Sequence, residues 1–91
     1  MVKIVFPAII AKVTNDEREV IVTASTIKEA LTQLVTRYGE SFEAIIFDSS
    51  GKPKRSLNFF LNGRNIRFIN DLNTPLKNAD VVTILPSASG G

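Results

Sequence analysis

The 91-residue sequence contains no cysteine and no histidine. Thiolate nucleophiles, thiolate metal sites and disulfides are therefore absent, and so is the commonest general base and metal ligand. Neither a Ser-His nor a Cys-His arrangement can be assembled, so no catalytic residue and no metal ligand is assigned. The residues that could do chemistry stand at the end. Gly90-Gly91 closes a stretch, Pro86-Ser87-Ala88-Ser89-Gly90-Gly91, in which no side chain is large or charged. Its reactive group is the carboxylate of Gly91.

That group defines what can be done with it. A terminal carboxylate has a pKa of about 3.5, is ionised at pH 7 and is a poor acyl electrophile. It must first be activated, most simply as a mixed anhydride with AMP. A sulfur nucleophile can then displace AMP and leave a thiocarboxylate. A lysine amine, after a thioester relay, would instead leave an isopeptide bond. Either way the catalyst is another protein, and this chain presents an unhindered glycyl carbonyl. Six residues at about 3.3 Å each reach about 20 Å, enough to thread an active-site channel. Glycine lets the backbone approach catalytic groups closely. A frayed terminus is the plain alternative. Two terminal glycines arise by chance in only roughly 0.5% of chains, which favours the functional reading.

The rest of the chain must position this arm. Its length predicts one domain with a modest core. The 44% hydrophobic and 22% charged content is that of an ordinary globular protein. A net charge of +2 falls short of a nucleic-acid footprint. No apolar run approaches the ~20 residues that span a bilayer, and the start lacks the pattern of a signal peptide. The expected location is the cytoplasm, with no membrane and no nucleic acid among the partners.

Val2-Lys3-Ile4-Val5-Phe6 alternates as a strand with Val2, Ile4 and Phe6 on one face, and Pro7 interrupts it. A polar turn over 14–18 leads to a second strand over 19–23, predicting a hairpin. Thr26 and Glu29 form a Thr-x-x-Glu capping box. The stripe of Ile27, Ala30, Leu31, Leu34, Val35 and Tyr38 predicts a helix whose apolar side faces the core, with Gly39 as its left-handed cap. Ser41 to Phe47 suggests a short helical turn and 48–55 a loop. Leu57 to Asn62 reads as a strand ending at the hairpin signal Asn62-Gly63, with 65–68 as the short return. Thr74-Pro75-Leu76 suggests a single turn. Val81 to Leu85 is the last strand, stopped by Pro86.

One helix cannot cover both faces of a sheet, so a mixed sheet with one main helix across one face is expected. The first and last strands are the most apolar and should lie centrally, side by side and parallel. The fold class is α+β, a β-grasp of the ubiquitin type: residues 1–85 form the domain and 86–91 a flexible tail.

The chain resembles the ubiquitin-like sulfur carriers. These include the small subunit of molybdopterin synthase (the MoaD type), the thiamine-pathway carrier (the ThiS type) and the carrier of a thiocarboxylate-dependent cysteine synthesis. The segment from Asn78-Ala79-Asp80 through Pro86 to Gly90-Gly91 is similar to the family's G/A-D-x-V-x-I-x-P-x-x-x-G-G ending. Phe60-Leu61-Asn62-Gly63 resembles its V-N-G hairpin, and Phe6-Pro7-Ala8-Ile9-Ile10 is most similar to the cysteine-synthesis type. Ser87-Ala88-Ser89 departs from the bulkier residues of many relatives. The resemblance implies adenylation by a separate activating enzyme that uses ATP, with no cofactor bound by this chain. It also implies a sulfur donor, such as a cysteine desulfurase or sulfurtransferase, and an acceptor synthase, with the molybdopterin type the leading acceptor. A protein modifier joined to lysines through Gly91, or a plain interaction module, are the alternatives.

A docking surface can also be placed. With Leu57, Phe59 and Leu61 toward the helix, alternation puts Phe60 on the open face. With Val82 and Ile84 inward, Thr83 and Leu85 face outward beside the arm. Phe60 and Leu85 then form an exposed patch for a partner; a strand shifted by one residue, or a 48–55 loop lying over Phe60, would remove the patch. Arg64 and Arg67 offer charge to steer an acidic partner, against the plainer alternative of scattered solvated charge. Lys52-Pro53-Lys54-Arg55 is a basic cluster without the interleaved aromatics of a nucleic-acid site.

Overall fold

A computed structural model describes residues 1–87 of the chain. Five strands form one sheet in the order β2-β1-β5-β3-β4: β1 (Val2–Val5), β2 (Glu19–Val22), β3 (Leu57–Leu61), β4 (Arg64–Asn65) and β5 (Val81–Pro86). β1 and β5 are central neighbours and run parallel, with Ile4 opposite Val82 and Val5 opposite Thr83. β2 is antiparallel to β1, and β3 is antiparallel to both β5 and β4. Helices α1 (Ile27–Tyr38) and α2 (Glu40–Ile46) supply buried side chains to the same core as Val2, Ile4, Val82 and Ile84. Among the described residues no helix packs on the opposite face of the sheet. This is the β-grasp arrangement anticipated from the apolar first and last strands.

α1 forms where its stripe predicts, and Ile27, Ala30, Leu31 and Leu34 are buried. Thr26 Oγ1 accepts the Glu29 N–H at 3.1 Å, one half of the capping box. The other half is displaced by one residue: the Glu29 carboxylate accepts from the backbone and hydroxyl of Ser25, at 3.0 and 3.3 Å. Gly39 ends the helix at φ 93°, ψ −165°, a conformation open essentially to glycine but not the left-handed helical cap expected. The same residue starts α2, so the predicted helical turn is a separate helix of seven residues. Phe42 of α2 meets Phe6 and Tyr38 edge to face or tilted, with ring centroids 6.1 and 5.3 Å apart.

Two further local expectations are corrected. The return after the hairpin is only Arg64–Asn65, because Ile66–Phe68 turns into a 3-10 helix that buries Ile66. Thr74-Pro75-Leu76 is extended rather than a turn. The Ile27 N–H reaches the Thr74 carbonyl at 3.1 Å and the Leu76 N–H the Ser25 carbonyl at 2.9 Å, an attachment no local pattern announces. The long first connection also contains a 3-10 helix, Ala8–Val13. Glu17 holds it to α1, accepting from the Tyr38 hydroxyl at 2.8 Å and pairing with Arg37 at 3.0 Å.

Pro86 does not stop β5 but is its last residue, opposite Leu57. The register supplies the reason. Val81 and Ser87 turn their backbones toward β3, as the Asn62 N–H to Val81 O and Ser87 N–H to Ser56 O bonds show, at 2.8 and 2.9 Å. By alternation the Pro86 nitrogen faces the other way, where the β1 ladder has already ended at Val5. No donor is needed there, so proline is tolerated.

Candidate functional site

β5 delivers the end of the chain. Val82 and Ile84 anchor it, buried between β1 and β3. A lock at the other end of the strand holds its register. Asn62, in the left-handed region at φ 49°, donates from Nδ2 to Asp80 at 3.0 Å and accepts the Val81 N–H at 2.9 Å. Asp80 also accepts the Lys77 N–H at 2.7 Å. The Met1 ammonium meets the side chain of Asn78. Asn-Gly and Ala-Asp, the most recognisable dipeptides of the sequence, thus set the strand that carries the arm. Sequence reasoning read Asn62 only as a turn former.

The Lys77 N–H, and then the Asn62 amide, hold the Asp80 carboxyl below its ordinary value of 3.8. The hydroxyl of Ser50 does the same for Asp48, and the Tyr38 hydroxyl, then Arg37, for Glu17. A depressed carboxyl stabilises the fold above its unfolded pKa and loses that contribution as pH falls through the folded value. Urea midpoints should therefore hold between pH 7 and 5 and drop below about pH 4, with a shallower drop in Asp80→Asn. Asn62→Ala, which loses two hydrogen bonds and a residue suited to positive φ, should cost about 1–3 kcal/mol at pH 7.

Of the predicted site residues, Pro86 is the last of β5, and Ser87 follows it with its N–H on the Ser56 carbonyl. Ala88, Ser89, Gly90 and Gly91 lie outside the described residues. Measured from Ser87, four residues reach at most about 13 Å, against the 20 Å expected when all six were counted. A protein that acts on Gly91 must therefore cover this end of the sheet.

The open face is where alternation placed it. Phe60 is opposite Thr83 and Leu85 is opposite Asn58, so Phe60 and Leu85 are diagonal neighbours on one face. Leu85 is 43% exposed and Phe60 half-buried. Ile21 of β2, 49% exposed, extends the same face across the Lys3–Glu19 ion pair. Arg64 is not part of it. It stands opposite Leu61, which packs against the core, and therefore belongs to the other face of the pleat. The register is the physical reason: a two-residue Asn-Gly turn forces 61 to pair with 64 and 60 with 65. Asn65 is the β4 residue beside Phe60. Among the described residues no group of acidic side chains is arranged to hold a metal ion, and no helix is long and apolar enough to cross a membrane.

A mixed sheet with parallel central strands and helices on one face defines a ubiquitin-like β-grasp domain. The family model described as the ThiS family matches residues 4–91, and the chain belongs to that family of ubiquitin-like sulfur carriers. It is 31% identical to the sulfur carrier protein CysO of Mycobacterium tuberculosis over 91 residues, covering 99% of this chain and 98% of that one. Among solved structures it is similar to the Amycolatopsis orientalis BexX/CysO complex, with TM-score 0.86, 26% identity and all of both chains covered. It is also similar to small archaeal modifier protein 1 of Methanosarcina acetivorans, with TM-score 0.84, 28% identity, and 99% and 95% covered.

Proposed function

We propose that this chain carries sulfur on Gly91. A separate enzyme joins the Gly91 carboxylate to the α-phosphorus of ATP, expelling pyrophosphate. A sulfide-level nucleophile then attacks the carbonyl carbon, the bond to AMP breaks, and a terminal thiocarboxylate remains to be passed to an acceptor. The observation that carries the reading is the ThiS-family match running through residue 91. ATP belongs to the partner, and no cofactor is required of this chain. The similarity to CysO proteins, together with the Phe6–Ile10 segment, favours an acceptor of the cysteine-synthesis type over the molybdopterin type. Incubation with the activating enzyme, ATP and a sulfide source should add about 16 Da, sulfur for oxygen, to the intact mass. An unchanged mass with all three supplied rejects the reading.

The likeness to a small archaeal modifier protein supports a second reading, conjugation of Gly91 to lysines. Gly-Gly remnants on the lysines of other cellular proteins would establish it.

The partner docks on Phe60 and Leu85, beside the root of the arm. Leu85→Asp, at an exposed position, should leave the unfolding midpoint within a few tenths of a kcal/mol. It should raise the KM of the activating enzyme for this chain about 10-fold, as expected of a central apolar contact. Steady-state adenylation rates check this, and an unchanged KM removes the face from the interface.

A further inference from the structure

The net charge of +2 is not evenly placed. Beside β3 an open pocket of about 520 Å³ is lined by Lys52, Arg55 and Arg67, together with Asn70 and Asn73 and the single carboxylate of Asp71. Its own balance equals that of the whole chain. The ion pairs among the described residues, Lys3–Glu19 and Arg37–Glu17, lie elsewhere, so none of the three cations is paired there. Arg67 Nη2 reaches the Leu57 carbonyl at 3.5 Å, which sets its guanidinium against the start of β3 and leaves most of its donors unengaged. Arg55 immediately precedes Ser56, whose carbonyl accepts the Ser87 N–H at 2.9 Å. The pocket lining therefore runs directly into the segment that is bonded to Ser87, just past the end of β5.

We propose that Lys52, Arg55 and Arg67 form an anion-binding edge that receives a carboxylate-bearing segment of the protein that loads the arm. Guanidinium forks match carboxylates in pairs. All three cations are exposed side chains in an open pocket, so an ion pair formed there loses little hydration and acts mainly on recognition and encounter rate. The next residue after Arg67, Phe68, is 83% exposed. A large apolar side chain next to unpaired cations is the composition of a protein interface, with an anchor and a charged rim. A nucleic-acid site would need a run of stacking aromatics, and none lines this pocket among the described residues. The identity of the partner rests on the reading given above; the edge and its preference for carboxylates do not.

Two measurements separate these. With the activating enzyme, Arg55→Glu/Arg67→Glu should raise the KM for this chain about 10-fold or more at low salt with kcat unchanged, and the difference should shrink as salt screens the pair. A KM within about twofold of the parent at low salt overturns the proposal. If the enzyme does not adenylate the parent chain, the function reading fails, and the edge is judged on this chain alone. A Glu-rich synthetic peptide is then titrated into the 15N-labelled chain. Saturable shifts confined to residues 52–55, 67 and 70–73, lost in the double variant and absent with a Lys-rich peptide, support the edge. Absent or scattered shifts overturn it, as does a single-stranded oligonucleotide that shifts the same amides at lower concentration.

Discussion

Deleting Gly91, or appending one residue after it, is expected to lower adenylation by the loading partner at least roughly 100-fold while leaving the unfolding curve unchanged. The size follows from geometry. One residue moves the reacting carboxylate by about 3.3 Å along an extended arm. A misplacement of about 1 Å already costs a reaction of positioned groups about 100-fold. The arm has little slack with which to compensate, because Pro86 and Ser87 are tied to β3 and only four residues remain beyond them. The unfolding curve should not move, because among the described residues the buried core lies between Val2 and Ile84. Urea denaturation beside pyrophosphate exchange tests both halves. Adenylation that survives either change means that the group acted upon is not the Gly91 carboxylate. Lost adenylation with a shifted midpoint would instead make the tail part of the fold.

How far the sequence foretold this depends on whether a feature is local. The parallel pairing of β1 with β5 was legible because Val2, Ile4, Val82 and Ile84 alternate inward on the two most apolar strands, and central strands must bury one face fully. Phe60 and Leu85 followed from the same alternation. Arg64 was misplaced although the register was legible, because the two-residue turn at Asn62-Gly63 already determines which β4 residue stands beside Phe60. Pro86 was misread because proline is a strand breaker only where its missing N–H would face a neighbour, and that depends on where β1 ends. Thr74–Leu76 was out of reach altogether, and the basic edge was legible only in part. The first is held by Ser25 and Ile27, some 50 positions earlier. In the second, Lys52 and Arg55 stand in one basic cluster of the sequence, but only the fold brings Arg67 beside them.

Replacing Phe42 by alanine should have the largest effect on the fold itself, a loss of about 3–5 kcal/mol. Phe42 is fully buried on a helix of only seven residues, too short to be stable alone, so tertiary packing must hold α2 in place. Its ring fills the space between Phe6, just past β1, and Tyr38, the last residue of α1. Truncation leaves a cavity that three elements cannot jointly close. A domain of this size has about 5–10 kcal/mol in total, so the variant sits near its threshold, with a melting temperature lower by roughly 12–40 °C. Loading by the partner should fail as the variant melts, yet proceed at low temperature where it is folded, since Phe42 is far in the chain from the arm and from the open face. That contrast separates it from the Gly91 deletion, which fails at every temperature. Phe42→Leu, which keeps most of the volume, should recover the larger part of the loss. A midpoint in Phe42→Ala within 1 kcal/mol of the parent would mean that α2 is not held by this ring.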